Sequence, residues 1–283
     1  MNHSVTLVNG ATTTIDGRSV TVLAVGPWGE REFDAIGGSR DWKAIESIRE
    51  AHDLLREGEL LPEVILIAQP LPDSYRQADI DRLLAVVPLA RPVIVAGSWC
   101  EGQFRTGTQL LGTVRMYWYD FPGWWRTALE RAAIGLCPPW SVPLDGPYEG
   151  RFGWGSVSFN ELKSKLVAIE TVDFAVYQAL RDGLSYYGLN SVWHHAESEV
   201  DYGDDLVGGI WDGGQLGERE LRRLRGFARN MRTPSQPLIV LLDFPRREHF
   251  RQAQQAGATA VFGKPYVLDD LAGVVVRHVR SPG

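Results

Sequence analysis

A repeated alternation of short apolar runs with amphipathic stretches most constrains the fold of this 283-residue chain. Such an alternation predicts parallel strands joined by helices that cover both faces of each sheet. The predicted strands are 20–25, 63–68, 92–96, 165–169, 206–211, 237–242 and 258–262, and the predicted helices are 41–57, 80–87, 174–187, 218–229, 247–256 and 268–280. The sequence therefore predicts an α/β protein with two doubly wound parallel sheets.

The alternation also repeats at a nearly constant spacing. Leu23-Ala24-Val25 is matched 144 residues later by Val167-Ala168-Ile169. The segment 91–95 is matched 145 residues later by 236–240. Because unrelated α/β segments would not keep this register over several strands, the spacing predicts an internal duplication.

A segment between the two halves, 138–159, is rich in proline and glycine and has no periodicity. This composition is typical of a linker. The predicted domains are therefore 15–137 and 160–283.

Charge and apolar content limit the classes of partner. The net charge is −6, from 35 acidic and 29 basic side chains, which does not favour binding to nucleic acid. No apolar run approaches the length of a membrane span, and residues 1–10 lack the pattern of a signal peptide. We expect a cytoplasmic protein that binds neither nucleic acid nor membrane.

The end of the second half carries the most specific motif. Residues 254–266 read Gln-Gln-Ala-Gly-Ala-Thr-Ala-Val-Phe-Gly-Lys-Pro-Tyr, which resembles the Ala-Gly-Ala…Lys-Pro-aromatic ending of response-regulator receiver domains. The apolar run 237–242 resembles the fourth strand of that family, and Asp212 stands at its phosphoacceptor position. The resemblance covers roughly 165–280 and implies a flavodoxin-like fold.

The same resemblance implies roles for individual residues. Asp212 would accept a phosphoryl group, Lys264 would contact it, and Glu170 with Asp212 would hold Mg²⁺. Two positions depart from the family's pattern. Thr171 stands where a second acid is usual, and Leu242 stands where the family has a hydroxyl group that bonds to the phosphoryl group. These departures favour a divergent receiver in which Asp212 and Lys264 persist as an ion pair. The alternative is a working phosphoacceptor.

The first half lies further from the pattern. The repeat spacing places Gln69 at the position of Asp212, and Tyr119 at the position of Lys264. An amide cannot take up a phosphoryl group as a carboxylate does. The first half is therefore predicted to be a degenerate pseudo-receiver.

Aromatic and arginine side chains follow the strand ends of the first half. Doubly wound folds bind ligands and partners at that edge, and these residue types are favoured in interface hot spots. The candidate partner-binding residues are Trp99, Arg105, Arg115, Trp118 and Tyr119. The alternative is that these aromatic side chains pack against the linker and the second half.

Three functions follow from these observations. The favoured one is a non-catalytic signalling or scaffolding protein that needs no cofactor. It would bind a protein partner, such as a histidine kinase or another signalling protein, or form a homodimer. The second is a phosphorelay receiver with Mg²⁺ at Asp212. The third is an uncharacterised enzyme using the loop 99–101, although no histidine is placed near Cys100 by its spacing.

Overall fold

The computed structural model describes residues 11–15, 18–37, 44–58, 60–103, 110–133, 135–141, 165–195, 202–231, 233 and 236–280. The chain divides into two compact units, Met1–Gly153 and Trp154–Gly283. Most of the predicted linker, 138–159, lies outside the described residues. The predicted domain bounds stay a prediction.

The first unit is built around a five-stranded sheet. Its elements are β1 (Ala11–Ile15), β2 (Arg18–Val25), α1 (Arg31–Gly37), α2 (Ile48–Arg56), β3 (Val64–Gln69), α3 (Gln77–Val86), β4 (Arg91–Ala96), β5 (Val114–Tyr117) and α4 (Phe121–Ala133). The strand order is β1-β2-β3-β4-β5. Strands β2 to β5 are parallel, whereas β1 forms an antiparallel pair with β2. The apolar pattern does not predict β1, β5, α1 or α4.

The stretch before α2 is extended rather than helical. Ile45 makes an isolated parallel bridge with Val25, and its carbonyl accepts the backbone N–H of Gly26 at 2.7 Å. The helix begins only after Ser47, whose hydroxyl accepts the N–H of Glu50 at 3.2 Å. The predicted helix 41–57 is therefore shorter in the structure, and residues 41–43 lie outside the described part.

Among the described residues, an aliphatic and an aromatic cluster contribute to the core of the first unit. Helices α2 and α3 pack on the sheet through an aliphatic cluster that includes Leu23, Leu55 and Leu83. Helix α4 contributes Trp124 and Trp125, whose ring centroids lie 6.3 and 5.4 Å from that of Trp140, and all three side chains are buried. The aromatic core thus extends beyond α4 to residue 140.

Gly26 lies at a close approach of the chain directly after β2. Its φ is +94°, and a Cβ there would lie 2.9 Å from both the Ala68 carbonyl oxygen and the Tyr75 hydroxyl oxygen. We expect Gly26→Ala to lower the free energy of unfolding by about 2 kcal/mol, because backbone strain and overlap add. Gly58→Ala is the matched control, with φ +76° and no described atom within 4 Å, and should cost about 1 kcal/mol. Urea unfolding measures both, and equal losses would contradict the close approach.

The second unit contains a wholly parallel five-stranded sheet. Its elements are β6 (Leu166–Glu170), α5 (Phe174–Tyr186), β7 (Asn190–His194), β8 (Leu206–Asp212), α6 (Glu218–Ala228), β9 (Leu238–Asp243), α7 (Arg247–Gln255), β10 (Ala260–Lys264) and α8 (Leu268–Arg280). The order β7-β6-β8-β9-β10, with the first strand of the unit second in the sheet, is that of flavodoxin-like folds. The predicted α/β fold class is confirmed.

Helices cover both faces of this second sheet. Ile210 belongs to a buried cluster that includes Leu184 of α5 and Leu271 of α8. The preceding residue, Gly209, faces the other way: a Cβ there would lie 3.0 Å from the ring of Phe227 in α6. With both faces covered, the carboxyl edge of the sheet is the part at which polar side chains collect.

Candidate functional site: the carboxyl edge of the second sheet

Four charged residues end four neighbouring parallel strands of the second unit. Glu170 ends β6, Asp212 ends β8, Asp243 ends β9 and Lys264 ends β10. Because the carboxyl ends of parallel strands share one edge of a sheet, these side chains come to the same region. The strand pairing places Lys264 directly opposite Asp243.

Asp212 is buried, and both of its carboxylate oxygens are engaged. The Lys264 Nζ atom lies 2.9 Å from Oδ1, and the Thr171 hydroxyl donates to Oδ2 at 2.9 Å. The structure therefore brings together the two residues that the receiver resemblance singles out. It also gives Thr171 a direct contact with Asp212.

Asp243 is a member of the site that sequence reasoning missed. Its Oδ1 lies 3.1 Å from Lys264 Nζ, and its side chain is 52% exposed. Burial lowers the pKa of Lys264, but hydrogen bonds and charges from Asp212 and Asp243 outweigh it, so the pKa is raised overall. The available signal was an acid directly after the predicted fourth strand.

Glu170 bonds to a helix rather than to the aspartates. Its side chain is 2% exposed, and Oε1 accepts a hydrogen bond from Arg223 Nη2 of α6 at 2.9 Å. Burial raises the pKa of Glu170, while the charge and hydrogen bond of Arg223 lower it, leaving a net rise. Arg223 is thus the counterion of a nearly inaccessible carboxylate.

The carboxylates of Asp212 and Glu170 do not form a ready-made Mg²⁺ site. Magnesium prefers oxygen ligands in octahedral geometry, with several water molecules retained. Asp212 is held by Lys264 and Thr171, and Glu170 by Arg223. Within the described residues, no group of three or more His, Cys, Asp or Glu could hold a metal ion. Metal binding by Glu170 and Asp212 stays a prediction.

The corresponding edge of the first unit has different chemistry. Gln69 pairs with Ala96 at the end of β3, as Asp212 pairs with Leu241 at the end of β8. Arg115 donates to the side-chain oxygens of both Gln69 and Gln103, and Gln103 donates to Asp73 at 2.9 Å. An amide network therefore stands where the second unit has its ion pairs.

The predicted partner-binding residues separate by exposure. Trp118 and Tyr119 are buried, and the Trp118 indole N–H donates to the Ser98 hydroxyl at 3.0 Å. These two side chains belong to the core, and their burial does not favour direct contact with a partner. Trp99 is 71% exposed. Arg115 lies in the amide network, and Arg105 is outside the described residues.

The loop 99–101 lacks the features of a nucleophilic site. The Cys100 side chain is buried, and its thiol donates to the Gln69 carbonyl oxygen at 3.6 Å. Burial raises the pKa of Cys100 to about 11, although Arg115 and a backbone hydrogen bond oppose the rise. Since the thiolate is the reactive form, the geometry does not support the enzyme hypothesis.

The strand order of the second unit, together with the Asp212–Lys264 contact at its carboxyl edge, defines a receiver-like domain. No protein-family model matches the chain, and no curated protein matches it significantly.

Several solved structures are similar. A response regulator receiver protein from Pseudoalteromonas atlantica is 19% identical, covering 41% of this chain and 97% of its own, with a TM-score of 0.35. A response regulator from Thermotoga maritima is also 19% identical over 41% of this chain and 98% of its own, with a TM-score of 0.32. A protein described as a two-component system response regulator/GGDEF domain protein is 12% identical, covering 92% of this chain and 98% of its own, with a TM-score of 0.38. The fold described above rests on the strand order of the chain itself.

Proposed function

We propose that the chain is a non-catalytic signalling or scaffolding protein whose two receiver-like units act by binding a protein partner. The observation that carries this proposal is that both carboxylate oxygens of Asp212 already have bonding partners. Lys264 and Thr171 hold its two oxygens, and the nearby acid Glu170 is committed to Arg223. Phosphoryl transfer depends on positioning and charge neutralisation, and among the described residues both oxygens of Asp212 already have partners.

The residue at position 242 supports the same proposal. Leu242 stands where the receiver pattern has a hydroxyl, and its side chain is fully buried. A leucine cannot donate a hydrogen bond to a phosphoryl oxygen. Phosphorylation of Asp212, if it occurred, would therefore lack its usual means of moving the end of β9.

The first unit is proposed to be a pseudo-receiver that arose by duplication. Its edge residue Gln69 replaces the carboxylate, and Gln103, Arg115 and Asp73 fill the surroundings. The proposed docking surface centres on Trp99, because it places a large exposed ring beside this edge. The expected partner is a protein such as a histidine kinase or another signalling protein.

The proposal includes a cytoplasmic location. No helix in the described part of the chain is long and apolar enough to cross a membrane.

A working phosphoacceptor is the second candidate. The 2.9 Å contact between Lys264 Nζ and Asp212 Oδ1 favours it, since a lysine near the acceptor would neutralise a transferred phosphoryl group. The two candidates differ in whether Asp212 can bind a phosphoryl mimic.

Trp211 offers a local probe for that difference. Its ring lies against the residue after Asp212, because a Cβ on Gly213 would be 2.2 Å from the Trp211 ring. The chain has ten tryptophans, so 5-fluorotryptophan labelling with ¹⁹F NMR is preferable to total emission. Trp211→Phe assigns the resonance.

We expect no saturable change in the Trp211 resonance on adding millimolar Mg²⁺ and then beryllofluoride. The physical reason is that both oxygens of Asp212 are already bonded. The control is Asp212→Asn, which keeps the shape and removes the charge. A saturable shift in the wild type that disappears in Asp212→Asn would refute the proposed function and establish the phosphoacceptor.

A further inference from the structure

We infer that Asp243 is a built-in counterion that fills a latent anion site at Lys264. In the wild type its carboxylate takes the place that an external phosphate-like anion would occupy. The inference deepens the proposed function, on which it rests, by giving the physical reason why the second unit would not respond to a phosphoryl group.

The strand pairing fixes Asp243 in this role. Asp243 and Lys264 are register partners at the ends of β9 and β10, so their side chains leave neighbouring backbones at the same height. The Lys264 ammonium group then lies between two carboxylates, 2.9 Å from Asp212 Oδ1 and 3.1 Å from Asp243 Oδ1. An anion that approached Lys264 from this side would have to compete with the Asp243 carboxylate.

Asp243 also covers the backbone that follows Asp212. Its own N–H donates to the Gly214 carbonyl oxygen at 3.0 Å. A Cβ on Gly214 would lie 3.2 Å from Asp243 Oδ2. The carboxylate therefore stands over the β8–α6 segment, where a group attached to Asp212 would have to fit.

The charge balance points in the same direction. Asp212 and Asp243 together carry two negative charges, and Lys264 supplies one positive charge. An incoming anion therefore meets a site with an excess negative charge, which repels it. Asp243→Asn would neutralise the site while keeping nearly the same side-chain shape.

The pair with Asp243 has little to do with stability. Its side chain is 52% exposed, and exposed ion pairs contribute little to the free energy of unfolding. The protein should therefore fold without the Asp243 charge. The role assigned to this side chain is occupancy of Lys264, and binding rather than unfolding is the relevant measurement.

The test is a titration with inorganic phosphate, followed by the ¹⁹F resonance of Trp211 in the full chain. We expect Asp243→Asn to bind phosphate at least about tenfold more tightly than the wild type, because one repulsive charge next to Lys264 is removed. The double variant Asp243→Asn/Lys264→Met should bind phosphate no more tightly than the wild type. Asp243→Ser provides a second, smaller neutral side chain if the asparagine variant folds poorly.

The matched control is Asp173→Asn, which removes the same charge from the loop after β6. Asp173 caps α5 by accepting the N–H of Ala175 at 2.8 Å, and asparagine caps equally well. A similar gain in Asp173→Asn would show a general charge effect and overturn the inference. So would phosphate binding that survives Lys264→Met, or the absence of any gain in both neutral variants at position 243.

The failures of the two proposals are distinguishable. If no Asp243 variant binds phosphate more tightly, the counterion role falls and the non-catalytic function is untouched. If the wild type already responds to beryllofluoride through Asp212, the non-catalytic function falls directly.

Discussion

Replacing Arg223 with Met is expected to lower the free energy of unfolding by about 2–4 kcal/mol at pH 7. The substitution removes the counterion of Glu170, whose side chain is 2% exposed, and leaves a buried charge without its partner. Breaking a buried ion pair in this way costs about 3–5 kcal/mol, and the 22% exposure of Arg223 moves the expectation lower. Urea unfolding followed by circular dichroism measures the loss.

The loss should depend on pH with a definite sign. Burial already raises the pKa of Glu170, and removing Arg223 removes a group that lowers it. A carboxyl group whose folded pKa exceeds its unfolded pKa makes the protein less stable as pH rises through that interval. The loss in the free energy of unfolding caused by Arg223→Met should therefore be small at acidic pH and reach its full size at neutral pH.

The control is the double variant Arg223→Met/Glu170→Gln, in which both members of this ion pair are neutral. We expect it to recover much of the lost stability and to lose the added pH dependence. A loss that is the same at every pH, and that Glu170→Gln does not relieve, would show that Arg223 acts by packing alone.

Trp125→Ala should destabilise the first unit by about 3–5 kcal/mol. The Trp125 side chain is fully buried, with ring centroids of Phe121 and Trp140 at 5.8 and 5.4 Å. Its removal would leave a cavity that the surrounding rings cannot fill without moving. Thermal and urea unfolding of the full chain measure the effect.

Trp99→Ala is the matched control, because it deletes the same side chain from a surface site. Trp99 is 71% exposed, so its loss should change the free energy of unfolding by less than about 0.5 kcal/mol. Comparable losses in the two variants would contradict the assignment of Trp99 to the surface and of Trp125 to the core.

The central strands were predictable from the sequence, but three of the four edge strands, β1, β5 and β7, were not. Strands β3, β6, β8 and β9 are almost wholly buried, so their sequences are nearly continuous apolar runs. Strand β5 is only half-buried and contains Arg115 among its four residues, so it carries no such run. Short edge strands are fixed by pairing with a neighbour, which a local pattern does not contain.

The site was predictable where it depended on one residue type at one position. Asp212 and Lys264 were found because their spacing resembles a known pattern, and the structure places them 2.9 Å apart. Asp243 was missed because its contact depends on the register between β9 and β10. The contact of Arg223 with Glu170 has no local sequence signal, since the helix face that meets Glu170 is set by tertiary packing.

The position of Trp140 decides where the chain can be cut to isolate its first half. The Trp140 ring lies against those of Trp124 and Trp125, and its carbonyl oxygen accepts a hydrogen bond from Arg91 Nε at 2.8 Å. A fragment ending at 137 would lack Trp140 and would expose the indole rings of Trp124 and Trp125 to water. A soluble fragment should therefore keep the chain through at least Ser141, the end of the turn that carries Trp140.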